Sequence, residues 1–369
     1  MLRTTMSLTR VDPGFQSDRV LTWQFSLAGQ RYAEDAAVVQ LQDTLLSRLR
    51  ALPGVSGAAL ADQIPFGGNY DCRGFHVKGL GKQNSAEDPC IERYGTTPDY
   101  LAVMGIPLRA GRFFTPSDTA ASQPVIVVSE ATRALVWGDR DPIGGQVRFG
   151  SAERGAWYTV VGVVADVHHS DLGSAAAPAF YSPESQFTDS DLVGVVRTAH
   201  DDPSALASFV RQVLHDLDPT IAMYDVAPLE SRVADAAAGP RFVMQLLAGF
   251  AAIALLLAAV GLYGVVSFGV SQRTRELGVR IALGATPREV LRLILASGIP
   301  LIAAGVAIGV VAAGLTTRLL GSLVFGVTPL DPAAFATSAL VLVTVAVIAH
   351  LLPALRALAI DPVRALRQD

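Results

Sequence analysis

Charge is scarce in this sequence: 17% of its 369 residues are charged and 51% are hydrophobic, an apolar load above that of an ordinary soluble protein. The shortage is local. No charge occurs from Phe242 to Gln272 or from Leu293 to Thr317, and from Pro332 to Leu355 the only ionisable group is His350. Phe242–Asp369 carries nine Arg against five acidic residues (net +4), whereas Met1–Arg241 has a net charge of −8. An acidic domain is therefore joined to a basic, apolar one, and neither has the clustered basic patch or RNA-reading motif of a nucleic-acid binder.

Catalytic signatures are also missing. There is no G-x-S-x-G, H-E-x-x-H or C-x-x-C, and no G-x-x-x-x-G-K-[ST] to cradle nucleotide phosphates. His168-His169 beside Asp166 and Asp171 suggests a metal site, but adjacent strand residues point to opposite faces and chelate poorly. Asp189, Asp191 and Gly194 mimic the start of a calcium loop, yet its twelfth position is His200 where a bidentate Glu is required. No enzyme activity, metal or cofactor is expected. The apolar runs hold no Asp, Glu or Lys to bind a coupling ion, as an ion-driven transporter would need, so any work must be powered by another polypeptide.

Each of the three runs exceeds the roughly 20 residues a helix needs to cross about 30 Å of hydrocarbon. Core helices of a large soluble protein are the alternative, but these are usually shorter and carry charge on one side. We therefore expect three spans, at about 242–272, 293–317 and 332–355. Arg273, Arg275, Arg280, Arg288 and Arg292 lie between the first two runs, Arg356, Arg364 and Arg367 follow the third, and only Arg318 separates the second from the third. Arginine near span ends stays cytoplasmic, so the 273–292 loop and the C-terminus face inward and residues 1–241 face outward. The opening MLRTTMSLTRVDPGF has no apolar stretch able to start translocation of that domain, which leads us to expect a further N-terminal span missing from this chain.

The 273–292 loop is well punctuated. Leu277 and Ile281 share a helical face beside the i, i+4 pair Glu276/Arg280. Gly284 would cap that helix, and Thr286-Pro287-Arg288-Glu289 reads as a capping box opening the next one. A solvated surface loop with good caps would look the same. The other reading is a rigid lever that docks on a cytoplasmic partner. In the second run Gly305 and Gly309 form a G-x-x-x-G that lets two helix backbones approach closely, although such pairs also arise by chance in a glycine-rich span.

The segment RFVMQLLAGFAAIALLLAAVGLYGVVSFGVSQRTRELGVRIALGATPREVLRLIL resembles the first membrane segment and coupling loop of FtsX/MacB-like ABC transporter permeases. Its R-x-x-E-x-G-x-R-x-A-L-G-A core is Arg273, Glu276, Gly278, Arg280, Ala282, Leu283, Gly284 and Ala285. VDPGF, TPDYLAVMGIPLRAGRFF, DPIGG, WYTVVGVVADV and the closing DPVRALR extend the resemblance over nearly the whole chain. It implies an extracytoplasmic MacB-like core domain (1–241) with two subdomains, one inserted at roughly 97–167, followed by an FtsX-like permease domain (242–369). It also implies a bacterial inner-membrane protein of which this chain is an N-terminally incomplete unit or the second half of a duplicated permease.

The implied partners are a cytoplasmic ABC ATPase docking on Arg273, Glu276, Leu277, Gly278, Arg280, Ile281, Gly284, Thr286, Pro287 and Glu289, a second permease unit as homodimer or tandem half, membrane lipid, and a periplasmic or outer-membrane protein. The implied function is mechanical transmission of ATPase motion for export of small molecules, peptides or lipoproteins. The rival readings are a non-transporting regulator that activates a periplasmic enzyme such as a cell-wall hydrolase, and a non-functional fragment.

For the outer domain the sequence predicts mixed α/β structure: strands over Val20–Leu27, Val125–Ser129 and Thr159–Val167, helices over Ala36–Leu52 and Ser204–Leu217, and a loop at Ile64–Gly68. Cys72 and Cys90, the only cysteines, fall in the part assigned to an oxidising compartment. A disulfide between them is permitted, and spacing alone does not fix one.

Overall fold

The computed structural model describes residues 12–79, 88–149, 155–170, 172, 175–272 and 332–358, together with 279, 283, 285–286, 289, 292, 303–305, 307–313 and 315. The chain divides into two units between Pro240 and Arg241.

The first unit is mixed α/β. In chain order its elements are β1 (Val20–Ser26), α1 (Asp35–Arg50), β2 (Val55–Ala61), β3 (Cys72–Val77), β4 (Cys90–Thr96), α2 (Tyr100–Met104), β5 (Leu108–Gly111), β6 (Val125–Ser129), α3 (Glu130–Val136), β7 (Gln146–Phe149), β8 (Tyr158–Val164), β9 (Ala179–Pro183), β10 (Asp191–Thr198), α4 (Ala207–Leu217) and β11 (Tyr224–Pro228). The eleven strands among the described residues join one sheet of order β11-β1-β10-β2-β4-β3-β7-β8-β6-β9, with β5 beside β8.

Two lobes share this sheet. The first combines both ends of the unit: β1, β2, β10 and β11 pair antiparallel, and α1 and α4 lie on one face. Alternation along each strand sorts the side chains. Leu21, Trp23, Phe25, Ala58, Leu60, Leu192 and Val196 pack with Leu41, Leu45 and Leu49 of α1 and Val210 and Leu214 of α4. Their neighbours Val20, Ala59, Ala61, Val193 and Val195 face a second core with Tyr100, Val103 and Met104 of α2. The helix α1 forms because Val38, Leu41, Leu45 and Leu49 recur at helical spacing, with Asp35 in its first turn and Arg48 and Arg50 in its last, which suits the helix dipole. Gly54, at φ +83°, turns the chain into β2.

The interposed lobe has its own core of Phe75, Val77, Ile126, Val128, Trp137, Val147, Val160 and Phe180. Its strands run from Cys72 to Pro183, a wider stretch than the expected 97–167. No resemblance motif falls between VDPGF and Thr97, whereas β3 and β4 already belong to the interposed strands. A single register pair, Ala61↔Thr96, joins β2 to β4 where the two lobes meet.

In the second unit, α5 (Leu229–Gln272) begins before the unit boundary and α6 covers Pro332–Leu358. Among the described residues one stretch, Gln245–Gly269 with mean hydropathy 2.4, is long and apolar enough to cross a membrane. Ala303–Ala313 and Ala336–Ala349 are shorter apolar helical stretches.

Candidate functional site

Phe242, Phe250, Ile253, Leu257, Val260, Val265 and Phe268 of α5 are all exposed, and no residue of the Gln245–Gly269 window is buried within the chain. A helix apolar on every side has no favourable place in water and belongs in protein or hydrocarbon.

Only part of the proposed lever falls within the described residues. Leu283 N–H donates to Val279 O at 3.0 Å, as in a helical turn, and Leu283 is 82% exposed. The Thr286 N–H donates to Glu289 Oε2 at 2.8 Å while Glu289 N–H donates to Thr286 O at 3.0 Å. This is the return arm of a capping box. The same amide, then the Thr286 hydroxyl, hold the Glu289 carboxyl below the usual carboxylate range. Arg273, Glu276, Leu277, Gly278, Arg280, Ile281, Gly284 and Pro287 lie outside the described residues. Gly305 and Gly309 are helical, and a Cβ at either would meet nothing within 4 Å among the described residues.

Cys72 and Cys90 are joined by a disulfide with Cα atoms 5.5 Å apart, within the normal range for such a bridge. It ties the start of β3 to the start of β4.

A dense polar cluster that the sequence reading missed lies at the junction of the lobes. Arg93, on β4, has a side chain 2% exposed. Its Nε donates to Asp71 Oδ2 at 2.8 Å, and its Nη2 lies 2.8 Å from Asp62 Oδ2 and 2.6 Å from Asp189 Oδ2. The guanidinium also covers the Phe187 ring, 4.3 Å from its centroid. Gly95 N–H donates to Asp62 Oδ1 at 2.9 Å, and Asp62 N–H donates back to Gly95 O. Beside them is Glu184, 1% exposed, whose Oε2 accepts from Gln42 Nε2 of α1 at 3.2 Å.

Electrostatics in this cluster are set by burial. Loss of water raises the Asp62 carboxyl to about 7 against the opposing pull of Arg93, and it raises Glu184 well above the normal range, helped by Asp62 and Asp189. Burial works against the charge on Arg93 too, but Asp62 and Asp189 more than offset it and keep the group cationic. Its members come from five separate parts of the chain, between residues 42 and 189, so no local spacing could have announced them.

His169 is 6% exposed and stacks on Tyr94 with ring centroids 4.0 Å apart. Neither ring nitrogen has a hydrogen-bond partner among the described residues. Burial first, and then His168, push its pKa down to about 3. The unfolded chain therefore takes up this proton first. The stabilising effect of a neutral His169 is complete above about pH 6.5 and is lost as pH falls towards 3, by up to about 1.4 kcal/mol per unit. His169→Phe, which keeps the ring but not the proton site, should flatten that part of the melting-temperature profile of the full chain, whereas an unchanged acid slope would rule His169 out as its source.

A folded mixed α/β domain continuous in sequence with a helix apolar on all sides defines a membrane-anchored protein. Residues 3–214 match the MacB-like periplasmic core domain and residues 248–362 the FtsX-like permease C-terminal domain, and the chain belongs to this FtsX/MacB-like family of ABC transporter permeases. It is 27% identical to the uncharacterized ABC transporter permease YknZ of Bacillus subtilis (strain 168), over 74% of this chain and 69% of that one. It is 29% identical to the pyoverdine export ATP-binding/permease protein PvdT of Pseudomonas syringae pv. tomato, over 74% of this chain but only 42% of PvdT. Among solved structures, the periplasmic region of MacB from Actinobacillus actinomycetemcomitans is similar at 17% identity and a TM-score of 0.41, with 61% of this chain and 95% of that one covered.

Proposed function

We propose that the chain is the membrane subunit of an ATP-driven machine in which a separate cytoplasmic ATPase moves the 273–292 hairpin, and the spans pass that motion to the outer domain without a substrate tunnel between them. The observation that carries this reading is the placing of arginine: five on the hairpin, three on the tail, and one on the connection between the second and third apolar runs. In this reading three helices span the membrane, the C-terminus is cytoplasmic, and residues 1–241 lie in the oxidising compartment, which suits the Cys72–Cys90 disulfide. The name of PvdT joins ATP-binding and permease functions in one protein. This sequence has no phosphate-cradling motif, which supports placing ATP hydrolysis on a separate polypeptide.

Specific contact at the hairpin rests on Glu276, Arg280, Leu277 and Ile281, and its stiffness on Gly284, Thr286, Pro287 and Glu289. The test is reconstitution with the cognate ATPase. Reversing a charge at a docking surface costs several kcal/mol, so Glu276→Lys should weaken permease-dependent stimulation of ATP hydrolysis by about tenfold or more. Gly284→Val should uncouple hydrolysis from output with membrane insertion intact. Normal coupling in both variants would remove the lever.

A further inference from the structure

The acidic side chains at the junction of the lobes outnumber their two cations, Arg93 and the half-exposed Arg73, which pairs with Asp71 alone among the described residues. Asp62, Asp71, Asp189 and Glu184 surround one buried guanidinium, and Arg93 pairs with the first three but, among the described residues, forms no ion pair with Glu184. Glu184 Oε1 is buried with no hydrogen-bond partner among the described residues, and the same holds for Ser182 Oγ, two residues earlier and opposite Gly95 in the β4–β9 register. Gly95 keeps this space open, since a Cβ there would collide with Glu184 Oε1 and stand 3.3 Å from Arg93 Nη1.

One carboxylate oxygen from each of Asp62, Glu184 and Asp189 can be chosen so that all three lie within 4.8 Å of one another. Oxygens bound to a single ion at about 2.4 Å can be no farther apart than roughly that. Asp189 is a third exposed and gives the cluster a route to solvent.

We propose that Asp62, Glu184 and Asp189 form a site for a hard divalent cation of the calcium type, which clamps the two lobes where one register pair joins β2 to β4. Three carboxyl oxygens with no nitrogen or sulfur donor select such an ion over softer metals. Arg93 meets Asp71 through Nε and one oxygen each of Asp62 and Asp189 through Nη2, so the ion would share those two carboxylates with the guanidinium and take Glu184 Oε1, which Arg93 leaves unpaired. The ligands bring together the end of β2, the turn after β9 and, through the Gly95 amide, β4, so loading the site would stiffen the inter-lobe joint. This proposal does not depend on which partner drives the permease.

The full chain in detergent, stripped with chelator, is melted with and without millimolar Ca2+ or Mg2+, and bound calcium is counted after desalting. The expected result is one calcium per chain and a rise in the outer domain's Tm of about 5–10 °C at a hundredfold excess over Kd. Glu184→Gln and Asp189→Asn should each remove the shift. Because Asp189 is partly exposed, the second variant keeps the test decisive if the first does not fold. Three results would overturn the site: no shift with either ion, a shift that survives in Asp189→Asn, or calcium counts unaffected by the variants.

Discussion

Arg93→Met is expected to destabilise the outer domain by about 3–5 kcal/mol, which is a large share of a domain's total stability. Methionine replaces the bulk of the side chain but leaves Asp62, Asp71 and Asp189 facing one another without the guanidinium that now pairs with all three. Removing one partner of a buried ionic group costs far more than the group contributes as a whole, because the remaining charges stay desolvated. Arg93→Lys should fall between the two. A single ammonium cannot reproduce the planar fork whose Nε meets Asp71 while Nη2 meets Asp62 and Asp189, nor its stacking on Phe187. Asp71→Asn, at a side chain 29% exposed, should cost about 1 kcal/mol. Melting of the full chain, followed by protease sensitivity of the outer domain, separates these outcomes; a near-normal Arg93→Met would mean that the cluster contributes little to the joint.

Gly194→Ala is the second large effect. Trp23 is fully buried and is the register partner of Gly194 in the β1–β10 ladder. A Cβ at position 194 would collide with the six-membered ring of the indole. That ring is enclosed by the first lobe's helices and has nowhere to go, so overpacking should cost about 3 kcal/mol. The physical cause predicts a rescue. Trp23→Phe removes the outer part of the indole, so the double variant should be more stable than the sum of the two single losses requires. Strict additivity would place the cost of Gly194→Ala in the backbone and not in the ring.

Elements with a clean local pattern were legible. The Val20–Leu27 strand is β1 at Val20–Ser26, Val125–Ser129 is β6, and the helix expected over Ala36–Leu52 runs Asp35–Arg50. The helix expected from Ser204 begins as a 3-10 turn at Pro203–Leu206, where the Asp202 carboxylate accepts the Ser204 amide, and becomes α-helical at Ala207. The strand expected to reach Val167 stops at Val164, because the next amides bond elsewhere: Ala165 donates to Pro107 O and His168 to Pro13 O. Other strands were hidden for physical reasons. β9 is buried on both faces and lacks alternation. β4 reads as polar because it carries Glu92 and Arg93 into the core, Arg93 through carboxylates distant in sequence and Glu92 beside the Tyr94 hydroxyl, which donates to it. The same non-locality concealed the Asp62–Arg93–Glu184–Asp189 cluster, whereas the Thr286–Glu289 contact, three residues apart, follows directly from the capping pattern.

The central claim is the sidedness of the hairpin, and cysteine labelling in intact cells tests it most directly. Leu283 and Glu34 are both exposed side chains, one in the hairpin and one in the outer domain. With a membrane-impermeant maleimide, Glu34→Cys should react in whole cells and Leu283→Cys only after permeabilisation. The reverse pattern, with position 283 labelled from outside, would leave a cytoplasmic ATPase with no purchase on this chain and contradict the account.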